Sequence, residues 1–141
     1  MGLFLDKELI GVICGFPRED YLLMSELAID SRFHRRGFGR RLVTAFEKIA
    51  KGKYKQINVG AEDKVIGFYK SLNYKPFLLI QFKKEDYGLD NFKKFNILRK
   101  RKDKEYIILD IKTKKAELKL LDKLRKKYPK AYFQYIFTKE L

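Results

Sequence analysis

The sequence predicts an α/β fold in which a sheet is flanked by helices. Apolar runs of strand length alternate with segments in which apolar residues recur at helical spacing. A basic loop with two glycines, residues 34–40, joins an apolar run to the first of the helical segments. With 141 residues, 45% of them hydrophobic, the chain is long enough for one globular domain with a small appendage.

The first part of the chain predicts three strands followed by a helix. The apolar runs Leu3–Leu5 and Leu9–Phe16 are separated by polar residues, which predicts a β-hairpin. The run Tyr21–Ile29 is apolar on both faces apart from Ser25 and Glu26, as is typical of a central strand covered by helices. After the loop, apolar residues at spacings of four, four and three predict one buried helix face. These residues are Phe38, Leu42, Phe46 and Ile49.

The middle of the chain predicts a short strand, a second helix and a strongly apolar strand. Gln56–Gly60 is the short strand, and the apolar spacing within residues 65–72 predicts the helix. Pro76 follows this helix and stops it, because proline disfavours helical conformation in the residue before it. Phe77–Phe82 is the apolar strand.

A change to polar sequence predicts a boundary near residue 88. We expect a core domain of residues 1–88 and a basic strand/helix/strand extension of residues 89–141. Its predicted strands are Phe95–Leu98, Tyr106–Ile111 and Ala131–Phe137, and the face of its Lys-rich helix consists of Leu118, Leu121, Leu124 and Tyr128. The extension either packs on the core or forms a separate basic module.

The charge of the chain is concentrated in this extension. The net charge is +15, and residues 91–141 carry 17 Lys and Arg against 6 Asp and Glu. A strongly basic surface gains affinity for nucleic acid by releasing counterions. A Lys-rich solvated surface of the kind found in hyperthermophile proteins explains the same composition. Both interpretations are open at this stage.

Other site chemistries find little support in the sequence. Cys14 is the only cysteine and lies in an apolar run, which predicts a small buried side chain, and His34 is the only histidine. We therefore expect no disulfide framework and no metal site. No apolar run approaches the roughly 20 residues that cross a bilayer, and the N-terminus lacks the features of a signal peptide. These features predict a cytoplasmic protein without a membrane partner.

The glycine loop has the chemistry of a pyrophosphate cradle. The first N–H groups of the helix that follows it lack partners, and the helix dipole adds about half a positive charge there. Gly37 and Gly39 remove Cβ atoms where a phosphate would approach the backbone. The arginines of the loop add charge, and they are Arg35, Arg36 and Arg40. A dinucleotide-binding loop would need a third glycine at Leu42, and a Walker loop would need Gly-Lys-Ser/Thr.

The order of these features resembles the GNAT superfamily of acetyl-CoA-dependent N-acetyltransferases. The resemblance rests on a strand, the glycine loop, a helix, a strand and a second helix with Tyr69 near its end, over roughly residues 3–82. It implies a mixed, mostly antiparallel central sheet. The usual N-terminal strand and two helices of the family are not found ahead of the first predicted hairpin.

The resemblance also implies roles for particular residues. The family's Q/R-x-x-G-x-G/A pattern falls on residues 34–39, so the cofactor phosphates are expected at Arg35, Arg36, Gly37, Phe38, Gly39 and Arg40. Backbone groups of Leu27, Ala28 and Ile29 would bind the pantetheine arm. Tyr69 would protonate the departing thiolate, since a phenol with a pKa near 10 is protonated at neutral pH. Glu26 is the nearest carboxylate in the motif and the candidate base for the amine.

Three positions depart from the family pattern. His34 replaces the first Gln or Arg, and Glu62 replaces an Asn that often touches the cofactor. Asn73 stands where glycine is usual after the tyrosine.

The predicted function is an N-acetyltransferase that uses acetyl-CoA as the acetyl donor and transfers the group to a primary amine by direct attack on the thioester. The acceptor is a small-molecule amine or a protein amine. Nucleic acid and a second copy of the chain, giving a homodimer, stay open as partners. The alternative is a non-catalytic GNAT-fold protein that binds nucleic acid through its basic C-terminal part.

Overall fold

The computed structural model describes all 141 residues and contains eight strands and three α-helices. The strands are β1 Gly2–Leu5, β2 Glu8–Pro17, β3 Leu22–Ile29, β4 Gln56–Gly60, β5 Lys75–Lys83, β6 Ile97–Asp103, β7 Tyr106–Lys112 and β8 Tyr132–Glu140. The helices are α1 Phe38–Ala50, α2 Ile66–Ser71 and α3 Leu118–Lys127. The pairings β1–β2, β2–β3, β5–β7 and β6–β7 are antiparallel, and the pairing of β3 with β4 is parallel. The predicted mixed α/β fold is confirmed.

The chain divides into two compact units. The first unit contains Met1–Val59 and Thr138–Leu141, and its strands are ordered β1-β2-β3-β4. The second unit contains Gly60–Phe137, and its strands are ordered β8-β5-β7-β6. Every residue of β7, which belongs to the extension, pairs with β5, where the partners are residues 77–83. The boundary predicted near residue 88 stays a prediction. None of the helices has both the length and the hydrophobicity of a membrane-crossing segment.

Helix α1 covers one face of β2 and β3 in the first unit. Its buried residues are Phe38, Leu42, Val43, Phe46 and Ala50. Two glycines of β2 allow the close approach of this helix. A Cβ at Gly11 would lie 2.5 Å from the Ile29 side chain and 3.5 Å from Leu42, and one at Gly15 would lie 2.6 Å from Phe46. The missing Cβ atoms therefore make room for the side chains of α1 and β3.

Two predictions about burial in this unit are wrong. Ile49 is 57% exposed, and Ala50 is buried in its place, because the buried stripe continues at a spacing of four from Phe46. Cys14 is exposed as well. Ile13 faces α1 and is fully buried, so alternation along β2 places Cys14 on the opposite face, which α1 does not cover.

The core of the second unit lies on one face of β5 and β7. Leu78, Ile80 and Phe82 of β5 are buried, and register pairs them with Ile111, Leu109 and Ile107. Phe92 is fully buried beside this face, with its ring centroid 4.8 Å from that of Tyr128 and 5.0 Å from that of Phe82. In α3, Leu121 and Leu124 are buried, whereas the predicted core residue Leu118 is 46% exposed.

The strand predicted at Phe95–Leu98 is misplaced. Strand β6 begins at Ile97 and continues through four consecutive basic residues to Asp103. It is the last strand in the order of the second unit and pairs only with β7. Backbone hydrogen bonds determine this strand, while its charged side chains remain largely exposed, so hydrophobicity gives no signal for it.

The glycine contacts give a stability prediction. Gly15→Ala should lower the free energy of unfolding by about 1–3 kcal/mol, because the added methyl overlaps the buried ring of Phe46. Gly67→Ala is the matched control: Gly67 lies in α2 with no atom near its missing Cβ, and alanine should stabilise that helix by up to about 1 kcal/mol. Denaturant unfolding measures both. Equal effects of the two substitutions would contradict the packing of α1 on β2.

Candidate functional site

A β-bulge interrupts β3 in its middle. Cys14 pairs with Glu26 and Gly15 pairs with Met24, so Ser25 is an extra residue on β3. The Ser25 hydroxyl donates a hydrogen bond to the Cys14 carbonyl across the bulge, at 3.3 Å. A bulge of this kind bends the strand and often re-aims it beside a functional site.

Strand β3 parts from β4 at the same place. Their parallel register covers only Leu22–Met24, and the last pair joins Met24 to Val59. Residues 26–29 extend beyond that pair while they remain paired with β2 on the other side. The N–H of Asp30 bonds to the Ile10 carbonyl of β2 at 2.8 Å. Because successive residues of a strand point to opposite sides, the backbone groups of Leu27 and Ile29 face the edge away from β2.

A charged network fixes the turn that follows β3. The Asp30 side chain caps the 3₁₀ turn Ser31–Phe33 by accepting a hydrogen bond from the Arg32 backbone at 2.9 Å. The Arg32 guanidinium donates to Asp30 at 2.7 Å and also pairs with Glu8. These hydrogen bonds lower the pKa of the half-buried Asp30 carboxyl to about 2 and raise the pKa of Arg32. The end of β3 is thereby tied to the hairpin.

The glycine loop leads into α1 without a side-chain cap. Arg35 and Gly37 both have positive φ, at 59° and 81°, and Gly37 is the N-cap residue. The first turn of α1 contains no acidic residue. Space around the missing Cβ of Gly37 is open to at least 4 Å. The start of this helix therefore fits an anion, because N–H groups, dipole and clearance all favour one.

The basic side chains of the loop have different surroundings. The Arg36 guanidinium lies over the rings of Phe33 and Phe38, 5.4 and 5.5 Å from their centroids. Arg35 and Arg40 are exposed. The His34 ring nitrogen Nε2 lies 2.6 Å from the Ile29 carbonyl oxygen, so the residue that replaces the family's Gln or Arg connects the loop to β3.

Tyr69 belongs to the second unit and lies in α2. It is 6% exposed, and its ring centroid lies 5.8 Å from that of Tyr74 and 6.0 Å from that of Phe137. Burial raises the pKa of its phenol above the ordinary value of 10.0. The turn after α2 places Asn73 at φ 66°, in the left-handed region. This explains how Asn replaces glycine there, since Asn tolerates that conformation better than most residues.

The two carboxylates singled out from the sequence differ in position. Glu26 is exposed and lies opposite Cys14, on the face of β3 away from α1. Glu62 is also exposed and pairs with Lys64 at 3.2 Å.

The sequence analysis did not identify the bulge at Ser25, although the sequence contains a signal for it. Apolar residues alternate at Leu22 and Met24 and then resume one residue out of phase, at Leu27 and Ile29.

Parted strands followed by an uncapped glycine loop match the arrangement that the resemblance to the acetyltransferases implies. A model of the acetyltransferase (GNAT) family matches residues 1–74, which is just over half of the chain. The chain therefore belongs to the GNAT family of acetyltransferases.

Solved structures agree with this assignment. The chain is similar to a GNAT family acetyltransferase from Elizabethkingia anophelis with acetyl-CoA bound, with 16% identity and a TM-score of 0.55 over 98% of this chain and 72% of that one. It is similar to IAA acetyltransferase from Bacillus cereus at 14% identity and a TM-score of 0.55, over 98% of this chain and 74% of that one. At these identities the likeness shows the fold alone.

A shorter match is to a candidate acetyltransferase from Pyrococcus horikoshii, at 19% identity and a TM-score of 0.47, over 60% of this chain. The chain spans 31% of the length of that protein. No curated protein matches the chain. The comparisons give no support to the alternative of a non-catalytic nucleic-acid-binding protein.

The Asp30 network predicts a particular pH dependence of stability. The pKa of Asp30 is lowered from 3.8 to about 2, so its contribution is fully present above pH 3.8 and is lost as the pH falls through about 2. Asp30→Asn keeps a capping side chain and removes the charge. Melting temperatures measured against pH should therefore show wild type above the variant near neutrality, with the two curves converging in acid. A constant difference between them would contradict the role of the charge.

Proposed function

We propose that the protein is an N-acetyltransferase that moves an acetyl group from acetyl-CoA to a primary amine, which attacks the thioester directly. The supporting observation is that β3 parts from β4 beyond Met24 and leads into a helix start without a side-chain cap. An unpaired strand edge can bind an extended amide chain as another strand would, and an uncapped helix start can bind phosphate. Coenzyme A contains both groups, a pantetheine arm and a pyrophosphate.

The proposed cofactor contacts follow the chain from β3 into α1. They are the backbone groups of Leu27 and Ile29, the small exposed side chain of Ala28, and the loop residues Arg35, Arg36, Gly37, Phe38, Gly39 and Arg40. The Phe38 side chain is buried and packs on Phe33 at a centroid distance of 6.0 Å, so its contribution is its backbone N–H. When bound there, acetyl-CoA supplies an activated thioester.

Tyr69 is the proposed acid of the reaction. The C–S bond breaks as the N–C bond forms, and the departing sulfur needs a proton. The raised pKa keeps the phenol of Tyr69 protonated at neutral pH, and its buried ring holds the hydroxyl in one place. The proton that the amine loses then restores the phenol through the base and solvent.

Glu26 is the proposed base. It is the only charged residue on its face of the first three strands, where its neighbours are Phe4, Leu9, Val12, Cys14, Phe16, Leu23 and Ala28. A single carboxylate among apolar side chains complements an ammonium group attached to an apolar body. Within the amines left open by the sequence, we therefore propose an acceptor with an apolar group beside its primary amine.

Calorimetric titration with acetyl-CoA tests the cofactor assignment. Wild type should bind acetyl-CoA at one saturable site, and ATP should not reproduce this binding. Gly37→Ala should raise the Kd by about tenfold, because the added Cβ occupies space that the phosphate needs to approach the backbone, and the loss of one hydrogen bond to a charged phosphate costs about 1.5 kcal/mol. The matched control is Gly52→Ala at the other end of α1, where φ is 86° and space is equally open.

Both substitutions place an alanine in the left-handed region and should cost about 1–2 kcal/mol of stability each. Only the one in the loop should affect the cofactor. If both variants bind acetyl-CoA as wild type does, the phosphates are not held at the start of α1. If ATP binds equally well, the loop is a general anion site.

Substitution of Tyr69 tests the acid. Tyr69→Phe keeps the buried ring and should reduce kcat for acetyl transfer by about 10²-fold or more while the Kd for acetyl-CoA is unchanged. Tyr135→Phe is the control, since Tyr135 is 1% exposed, its pKa is also raised by burial, and its hydroxyl is 3.4 Å from the Glu117 carbonyl that accepts from it. If the kcat of Tyr69→Phe equals that of the Tyr135→Phe control, Tyr69 is not the acid of the reaction.

A further inference from the structure

Two adjoining cavities in the second unit are lined by lysines. The first has a volume of about 490 Å³, with Lys84, Lys100 and Lys102 around an apolar floor that includes Phe82 and Ile107. In the register of β6 and β7, Lys102 pairs with Ile107 and Lys100 with Leu109. Both of those β7 residues are buried, so the two lysines rise from the core face of the sheet at its edge.

The second cavity has a volume of about 570 Å³ and contains Lys93, Lys94 and Lys127. Tyr87 and Asp90 line both cavities, which makes them neighbours. Edge-to-face contacts hold the Tyr87 ring in place, with its centroid 5.3 Å from that of Tyr128. The backbone N–H of Lys130 donates to the Tyr87 hydroxyl at 3.3 Å. Tyr87 is therefore a fixed wall between two basic hollows.

None of the six cavity lysines forms an ion pair. Nearby lysines do find carboxylates: Lys83 lies 3.4 Å from Glu105, and Lys130 lies 3.6 Å from Asp86. Asp90 is the one carboxylate that lines either cavity. Within the two cavities, six positive charges surround one negative charge.

The lysines of the first cavity also repel one another. The pKa of Lys84 is lowered, chiefly by the neighbouring Lys102 ammonium and in smaller part by burial and by Lys100. Like charges held together over an apolar floor are unfavourable until an anion joins them. The three lysines are exposed at this cavity, so their ammonium groups are accessible to an anion above the apolar floor.

We propose that the two lysine-lined cavities form one binding surface for single-stranded nucleic acid, with successive phosphates held in the two hollows on either side of Tyr87. Two hollows require a ligand with more than one phosphate group. A flexible strand can enter neighbouring concave sites, whereas a duplex presents its phosphates on a stiff convex cylinder. The proposal is independent of acetyl transfer, because all of these residues lie outside the loop and β3.

Fluorescence anisotropy with a short labelled single-stranded oligonucleotide of mixed sequence tests the surface in the full-length chain. The Lys84→Gln/Lys100→Gln/Lys102→Gln variant should raise the Kd at least tenfold. It should also lower the slope of log affinity against log salt by about 2, since each phosphate contact contributes about 0.7 for single strands. The control variant carries the same Lys→Gln change at Lys48, Lys51 and Lys53, three exposed lysines of the first unit. It therefore loses the same net charge as the first triple variant.

Three further measurements separate a surface for single-stranded nucleic acid from attraction by net charge and from a site for a compact anion. Replacing Lys93, Lys94 and Lys127 with Gln should weaken binding to a similar extent, and a matched duplex should bind less tightly than the single strand. Equal loss in the control variant would mean that net charge alone attracts the strand, and no binding by wild type would also overturn the proposal. Inorganic tripolyphosphate is the competitor of the oligonucleotide. If it displaces the oligonucleotide completely, and if replacing Lys93, Lys94 and Lys127 has no effect, the site binds a compact anion and the proposal is wrong.

A folding defect would not explain a positive result. Removing mutually repelling charges should leave the melting temperature of the first triple variant unchanged or raised. Acetyl-CoA titration of the same variant should match wild type, so failure of the acetyltransferase proposal and failure of this one give different results.

Discussion

One extra residue in β3 determines the geometry of the first unit. Leu22 and Met24 face α1 before Ser25, and Leu27 and Ile29 face it afterwards. Without the bulge, strict alternation would turn Glu26 toward α1, where an unpaired carboxylate would be strongly unfavourable. The bulge keeps both halves of the strand packed on α1 and directs Glu26 to the opposite face. The same distortion coincides with the end of β4 pairing, so the packing of β3 on α1 and its open edge both change at one residue.

Side-chain contacts in the turn after β3 hold the following glycine loop in place. Asp30 and Arg32 join the end of the strand to Glu8 of the hairpin, and His34 contacts the last strand carbonyl. Because these contacts hold both sides of the turn, the left-handed backbone at Gly37 is held in place and α1 begins at one orientation. Arg36 stacks on two aromatic rings in the same turn, which limits the freedom of a side chain that would otherwise be fully solvated.

Much of the fold could be predicted from the sequence, because most elements carry a strong hydrophobic period. Strand Gln56–Gly60 and the start of α1 at Phe38 are found where the pattern places them. The misplaced strand β6 contains almost no apolar signal, since it is defined by backbone pairing at a sheet edge. The exposed Cys14 shows the same limit, because the pattern identifies an apolar run but not which face a helix covers. The candidate loop could be predicted from its glycines and its basic residues. The bulge could not, because it is defined by which residues of β2 and β3 pair.

The two proposed anion sites of the chain differ in the groups that would do the binding. At the start of α1 the donors are backbone N–H groups fixed by a left-handed turn, and their strength depends on geometry. In the second unit the donors are lysine side chains over apolar floors, and their strength depends on counterion release. Salt therefore weakens lysine-mediated binding steeply and affects backbone-mediated binding much less. Under these two proposals, a protein of net charge +15 would separate its cofactor from bulk polyanions, because the proposed cofactor site does not rely on net charge.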